Sequence, residues 1–408
     1  MESVYCSAIN PYALAEQVAE KTILWDKVQD PKKLLSEILQ LDEEVIFDTK
    51  YPILTPALQI ESDGKMKVLS EKDAQKRMDA FLKGYKGRSR NRLTETNIAK
   101  IIDSIIVLPV RPEILKPLKP EIIGHLQIAD KVVAWNQNLV WRDKGDYFED
   151  VAEMTDPMQG SLGNCYLIAA LAAVAWARPY SIINATRPML FSESSNLYHE
   201  ITFYNNNNQP EKVEVTEAVP VTKQTYNWTF AKSLDNGEIW PAVMEKAYAK
   251  WVTKCTTDYP DYRPTAGGDP IEASRQLIGG TKTYKWNQNT SLADATNLIL
   301  ANSAGNRTVN PMTACTYGSN PPGKTYSGTN IVACHAYTIL GHEVFNGERY
   351  IVLRNPWGTH PGTLDTRAGT WAANMKTFTA NVPLNENGVF SMKLSSFLIY
   401  FECFGVSR

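Results

Sequence analysis

The stretch from Cys165 to Ala177 is almost wholly apolar, and it is entered through Gln159-Gly160-Ser161-Leu162-Gly163-Asn164, a turn punctuated by two glycines. A run this short does not cross a membrane, which takes roughly 18 to 20 apolar residues. It reads as a buried core helix that other elements must surround, with Cys165 at its start. Unpaired amides and the dipole at a helix start favour negative charge, so a thiolate there is stabilised relative to a free cysteine. Gln159 lies a short turn upstream and offers a side-chain amide. With the backbone N–H of Cys165 it forms a donor pair suited to the oxyanion that arises when a thiolate attacks a carbonyl. Most free cysteines are simply buried, so this reading depends on partners elsewhere in the chain.

Composition narrows the rest. At 408 residues, 43% hydrophobic and 21% charged, the chain is an ordinary globular protein with room for two or three domains. A formal net charge of -2 gives no basic field to hold nucleic acid or an anionic membrane. Cys6, Cys165, Cys255, Cys315, Cys334 and Cys403 are scattered without C-x-x-C pairs, which points to neither zinc nor structural disulfides. Met1 to Cys6 lacks a basic stretch followed by an apolar core, so no secretory signal is read and a cytoplasmic location is expected.

Residues 1–120 read as mostly helical. Asn10-Pro11 makes a capped start ahead of Ala13, Leu14, Val18 and Ala19. After Pro31, the side chains of Leu34, Leu35, Ile38 and Leu39 share one helix face. Ser70-Glu71-Lys72-Asp73 resembles a capping box, and a further helix covers Thr94 to Val107. Between these two lies Lys83 to Arg92, rich in basic residues and read as a solvated loop, with a processing site or anionic docking patch as the functional alternative. Pro109, Pro112, Pro117 and Pro120 form a stiff connector and a domain boundary. Beyond it, 198–204 alternates as a strand, Asn205 to Asn208 turns, and Glu211 to Val221 gives a second strand. Trp240 to Trp251 is helical in spacing, and Gly267-Gly268 lets another backbone approach closely. From Asp269 onwards short strands are expected to dominate. The divisions are therefore 1–120, 121–268 with the cysteine helix, and a β-rich 269–408.

A nucleophilic thiol needs a base, normally histidine, held in one tautomer by a third group. Of His125, His199, His335, His342 and His360, the best placed is His335, which opens a strand at Cys334-His335-Ala336-Tyr337. That strand turns at Asn346-Gly347, a strong hairpin signal, and returns through Arg349 to Asn355. A strict two-residue turn pairs position 338 with 355 and puts Asn355 on the face opposite His335. A bulge corrects this. Trp357, in Asn355-Pro356-Trp357-Gly358, is placed to shield a His335–Asn355 hydrogen bond from water.

These elements together resemble the calpain-type papain-like cysteine proteases. The matching segments are Gln-Gly-x-x-Gly-x-Cys at 159–165, Glu245-Lys246-Ala247-Tyr248-Ala249-Lys250, Gly267-Gly268, His335-Ala336-Tyr337 and Arg354-Asn355-Pro356-Trp357-Gly358. Asn387-Gly388-Val389-Phe390-Ser391-Met392 and Phe397 echo the family's closing strand and helix. Lys246 and Tyr248 set the match apart from papain-like enzymes in general. The resemblance covers about 130–408 and implies an α+β, papain-like core of two subdomains with a cleft between them, preceded by a mostly helical N-terminal region. Cys165 and Gln159 would lie on the helical subdomain, His335 and Asn355 on the β-rich one, and Gly267-Gly268 and Trp357 along the substrate. The chain departs from the family in Asn164-Cys165-Tyr166, where Asp-Cys-Trp is usual, and in Cys334, where glycine is usual. The Cys334 side chain is expected to narrow the leaving-group side of the cleft.

The implied function is a calpain-like cysteine endopeptidase acting on protein or peptide substrates through a Cys165 thioacyl intermediate. Two alternatives are a transglutaminase-like acyl transferase, disfavoured by Asn355 where that class has aspartate, and a catalytically silent binding module, disfavoured because all four reacting positions are filled. No Asp-x-Asp-x-Asp-Gly loop is present, so no calmodulin-like calcium domain is read. Calpain-like cores bind calcium within the protease subdomains, and Asp156 and Glu238 match one ligand set. Pro361, Asn387 and Val389 replace the carboxylates of the other. At most one calcium ion, and no required cofactor, is expected. Residues 1–120 are read as regulatory or partner-binding.

Overall fold

The computed structural model describes residues 5–8, 10, 13, 58–60, 66–68, 131–148, 151–188, 199–235, 237–375 and 378–408. The basic loop at 83–92, the proline connector and nearly all of the helices expected before residue 120 lie outside the described residues. In that region, read from the sequence as mostly helical, Leu58–Ile60 and Met66–Val68 pair as antiparallel strands.

Helix α1, Cys165–Ala177, is buried at every residue from Cys165 to Trp176, as a helix apolar on all sides must be. It packs against a large antiparallel sheet and against a second helix, α3 (Pro270–Ile278). A helix between them in sequence, α2 (Trp240–Thr253), is also largely buried and carries the Lys246 and Tyr248 motif.

The sheet is built from β1 (Lys282–Trp286), β2 (Arg307–Thr316), β3 (Ala336–Phe345), β4 (Glu348–Arg354), β5 (Val389–Lys393) and β6 (Phe401–Ser407). Their spatial order is β5-β4-β3-β2-β6-β1, with Thr366–Arg367 beside β5 and Ser303–Ala304 beside β2. Side chains alternate between its faces. Ala314 joins an apolar cluster with Tyr337, Leu353, Phe390 and Phe404, whereas its neighbour Cys315 joins the cluster around α1.

The hairpin of β3 and β4 turns at Asn346 and Gly347, which both have positive φ (50° and 80°), as a type I′ turn requires. Phe345 pairs with Glu348 and Gly341 with Val352, and the register then shifts so that Thr338 faces Arg354 rather than Asn355. The extra residue in β3 is Leu340. This bulge carries Asn355 round to the face of His335.

Short strands do dominate from Asp269 onwards, with the helices Pro270–Ile278 and Leu292–Ala301 set among them. Their signals were local: Asp269 caps the first through the Ile271 and Glu272 amides, and Ser291 caps the second through Asp294. The strand expected from Glu211 to Val221 is broken at Thr216–Ala218. Pro210–Val215 pairs with His199–Tyr204, while Val219–Thr222 pairs with Asn136–Arg142. The break is held by the buried ammonium of Lys246, which donates to the Thr216 carbonyl and hydroxyl, the Ala218 carbonyl and Asp258 Oδ2.

Candidate active site

Cys165 is the first residue of α1 and is fully buried. The residue before it, Asn164, does not cap the helix with its own side chain. Its Nδ2 instead donates to Glu245 Oε1 on α2 at 2.6 Å, and Glu245 Oε2 accepts from the Ala231 amide at 3.0 Å. The start of α1 is thereby fixed to α2. Burial pushes the Cys165 thiol well above its ordinary value, against the opposing pull of the Ala336 and Ala8 backbone amides. The helix start alone therefore does not make this thiol a thiolate while the site is covered.

His335 immediately precedes β3, and Asn355 immediately follows β4. Both are fully buried. His335 Nε2 lies 2.9 Å from Asn355 Oδ1. That oxygen also accepts from the Trp357 amide at 3.1 Å, while Asn355 Nδ2 donates to the His360 carbonyl at 3.1 Å. The asparagine amide is thus oriented with its oxygen towards the imidazole. Nε2 carries the proton, and Nδ1 is left to exchange one. Among the described residues Nδ1 has no hydrogen-bond partner. The Trp357 ring lies 4.9 Å from His335 between centroids and is 4% exposed, so it covers the pair. Burial lowers the imidazole to about 4, with the Asn355 hydrogen bond acting in the opposite sense.

The loop carrying Gln159 is fastened to the strand carrying Asn355. Gln159 N–H donates to the Pro356 carbonyl at 2.9 Å, and Arg354 donates to the carbonyls of Pro157 and Thr155, each at 2.9 Å. Gln159 Nε2 donates to Leu162 O and Ala8 O, both at 2.7 Å. On α1's other flank, Gly267 N–H donates to Gly163 O at 2.8 Å. A Cβ on Gly268 would lie 2.6 Å from the Tyr166 ring, so only glycine fits there.

Asp156 and Glu238 do come together, and Asp235 joins them, with one oxygen of each carboxylate within 4.8 Å of the others. Asp156 Oδ2 accepts from the Trp240 indole at 3.1 Å and the Glu153 amide at 2.6 Å. Its buried Oδ1 has no partner among the described residues. Burial, and secondarily the Glu238 charge, raise Asp156 to about 8. Asp235 was missed because its only sequence signal is its spacing three residues before Glu238.

Nothing in the sequence points to the contacts that residues 5–8 and Asn10 make with the site. Their partners lie more than a hundred residues away, and short polar segments carry no pattern that announces such pairing.

A buried thiol at a helix start and a histidine–asparagine pair at the ends of two paired strands of an antiparallel sheet form the arrangement of the papain-like class of cysteine peptidases. The profile described as calpain family cysteine protease matches residues 117–408, and the chain belongs to that family. It is 30% identical over 261 residues to the thiol protease of Porphyromonas gingivalis (strain ATCC BAA-308 / W83), covering 58% of this chain and 51% of that one. It is 28% identical over 307 residues to human calpain-8, covering 70% and 40%. It is 24% identical over 328 residues to the rice calpain-type cysteine protease ADL1, covering 75% and 13%. The chain thus aligns with about half or less of each relative's length. A solved NlpC/P60 endopeptidase from Photobacterium damselae subsp. piscicida has a TM-score of 0.17 at 9% identity over 52% of this chain and 45% of its own, too slight a likeness to bear on the fold. No single described helix is long and apolar enough to cross a membrane.

Proposed function

We propose that this chain is a cysteine endopeptidase whose nucleophile is Cys165. Sγ attacks the carbonyl carbon of a peptide bond, and its proton passes to His335 Nδ1. The negative charge that develops on the carbonyl oxygen is met by Gln159 Nε2 and the Cys165 amide. His335 returns the proton to the departing amine, the C–N bond breaks, and a thioester to Cys165 remains. Water, deprotonated by the same nitrogen, then releases the acid and restores the thiol. Asn355 takes no part in bond making. It holds the imidazole through Nε2–H so that Nδ1 is presented throughout.

The observation that carries this reading is the pairing of His335 Nε2 with an asparagine oxygen whose orientation is fixed by Trp357 N–H. It leaves one ring nitrogen for chemistry beside a thiol whose Sγ is in reach of the next residue's amide, Ala336. Gly267-Gly268 and Trp357 would line the path of the substrate backbone. The test is cleavage of an unfolded protein by the chain and by Cys165→Ala. Fragments from the first and none from the second are expected, and equal cleavage by both would end the reading. Amine incorporation in place of hydrolysis would point to the acyl-transferase alternative.

The resemblance also implies calcium, and the residues fit one ion. Asp156, Asp235 and Glu238 supply oxygen ligands of the kind calcium takes, and the unpartnered Asp156 Oδ1 is the group such an ion would satisfy. A bound cation there would remove the mutual repulsion of the carboxylates. No step of the reaction passes through it.

A further inference from the structure

A carboxylate is costly to bury unless donors surround it, and α2 buries one at Glu245, which is 1% exposed. Both of its oxygens accept, Oε1 from Asn164 Nδ2 at 2.6 Å and Oε2 from the Ala231 amide at 3.0 Å. Each donor leads to a different part of the site. Asn164 precedes Cys165, and its carbonyl accepts from the Leu167 and Ile168 amides at 2.9 and 3.3 Å, so its placement sets where the first turn of α1 stands. The Cys165 N–H belongs to that turn, whose amides lie outside the helix's own bonding. Among the described residues Glu245 is the hydrogen-bond partner of the Asn164 side chain, and Asn164 Oδ1 is buried with none.

Ala231 leads to Gln159. Residues 229–232 run beside the loop that carries it: Met158 and Lys232 exchange both backbone bonds at 2.9 and 3.1 Å, and Ser161 N–H donates to Thr229 O at 3.0 Å. These bonds bracket Gln159 on both sides. The approach is so close that a Cβ on Gly160 would come within 2.3 Å of the Phe230 carbonyl oxygen. Within the loop, Gln159 Nε2 donates to Leu162 O at 2.7 Å, which ties the side-chain amide to the loop's own backbone. The Lys232 amide turns to the loop, whereas the Ala231 amide turns to Glu245.

We infer that Glu245 is a positioning residue that sets the spacing of the two oxyanion donors, reaching the Cys165 amide through Asn164 and the Gln159 amide through residues 229–232. The inference rests on the reading of those two amides as the oxyanion site and adds the group that holds them in register. Glu245 itself touches neither the thiol nor the path of the substrate. Its influence falls on the oxygen that gains charge, which is stabilised only where preorganised donors meet it together. The role asks for two hydrogen bonds, not for a charge. In Glu245→Gln the Asn164 amide can turn over, so that its unpaired Oδ1 accepts from the new side-chain amide while the new carbonyl oxygen accepts from Ala231 N–H. Glu245→Leu keeps similar bulk and makes neither bond.

The test compares the full chain with Glu245→Leu, Asn164→Ala and Glu245→Gln on one peptide substrate, on a peptidyl aldehyde and on iodoacetamide. The aldehyde carbon takes a bond from Cys165 Sγ and its oxygen takes the thiol proton, so aldehyde affinity reads the oxyanion donors. Iodoacetamide loses iodide to the same sulfur with no carbonyl oxygen gaining charge, so its rate reads the thiol alone. Glu245→Leu should lower kcat about tenfold or more with KM little changed, because misplacing a reacting group by about 1 Å costs on the order of 10²-fold. Asn164→Ala should act in the same direction by less, since the Ala231 bond survives. In each variant aldehyde affinity should weaken in step with kcat, while iodoacetamide alkylates Cys165 at the parent's rate. Glu245→Gln should recover most of the parent's kcat. Parent-like kcat in Glu245→Leu or Asn164→Ala, alkylation that falls in step with kcat, or Glu245→Gln as impaired as Glu245→Leu overturns the inference and leaves Cys165 as nucleophile. If Glu245→Leu does not fold, the same readings on Asn164→Ala and Glu245→Gln decide. A parent chain that neither cleaves peptide nor binds the aldehyde overturns the catalytic reading and this inference with it.

Discussion

The indole of Trp176, in the last turn of the helix that Cys165 begins, donates to the carbonyl of Leu340 at 2.7 Å. Leu340 is the extra residue of the β3 bulge, and Thr308 Oγ1 donates to the same carbonyl at 3.0 Å. One helix therefore touches both halves of the proposed site: its first residue is the thiol, and its penultimate residue holds the bulge that turns Asn355 towards His335.

Trp176→Phe keeps the apolar bulk and removes the donor. One lost hydrogen bond costs about 1 kcal/mol of stability. The larger effect should fall on turnover, because misplacement of a reacting group by about 1 Å costs on the order of 10²-fold. We expect kcat to fall at least tenfold with KM little changed. Equal kcat for the two proteins would detach the bulge from catalysis.

Gln159→Ala removes the side-chain oxyanion donor proposed above and should lower kcat by about 10²-fold. Asn355→Ala should leave a measurable remainder, since orientation is a lesser role than that of nucleophile or base. Steady-state kinetics on one peptide substrate separates them, and an unchanged rate in Gln159→Ala would remove that amide from the mechanism.

Arg354 is fully buried, and its two donated bonds tie the Gln159 loop to β4. Arg354→Met removes the buried charge but leaves the carbonyls of Thr155 and Pro157 unpaired, a cost of about 2–4 kcal/mol. A urea denaturation midpoint within error of the parent protein would contradict this account of the loop.

Asp156 gives a pH prediction. Its folded-state value, raised to about 8 by burial and by Glu238, exceeds that of an unfolded aspartate. Between the ordinary carboxylate range and about 8, the folded protein therefore holds a proton that the unfolded chain has released, and this group's contribution to stability declines as pH rises. Asp156→Asn has no such term. In chelator, its Tm advantage over the parent should grow with pH up to about 8 and then level off. Calcium should raise the Tm of the parent and not of the variant. The same increase in both would place any calcium elsewhere.

How much of this could be read from residues alone varies with the range of the interaction. The β3–β4 hairpin was legible because Asn346-Gly347 is a local signal, and the need for a bulge came from counting residues between His335 and Asn355. Where the bulge would fall was not legible, since it depends on Trp176 in another element. Lys246 was visible as a family motif, yet its four bonds to Thr216, Ala218 and Asp258 explain a strand break that β-propensity alone runs straight through. The helix at 270–278 was obscured by the strand-rich character of the residues after it, although Asp269-Pro270 is a good helix start. Residues 5–8 pair with the backbones of Gly268 and Cys334, which any short sequence could match, so nothing in them marks that destination.

The central claim is that Cys165 and His335 act as one chemical unit, and covalent capture tests it most directly. A peptidyl chloromethyl ketone, incubated with the chain and mapped by peptide mass, should alkylate Cys165 and none of the other free cysteines Cys6, Cys255, Cys315, Cys334 and Cys403. The adduct should fall sharply in His335→Ala. Labelling spread over several cysteines, or undiminished labelling of Cys165 in His335→Ala, would contradict the account.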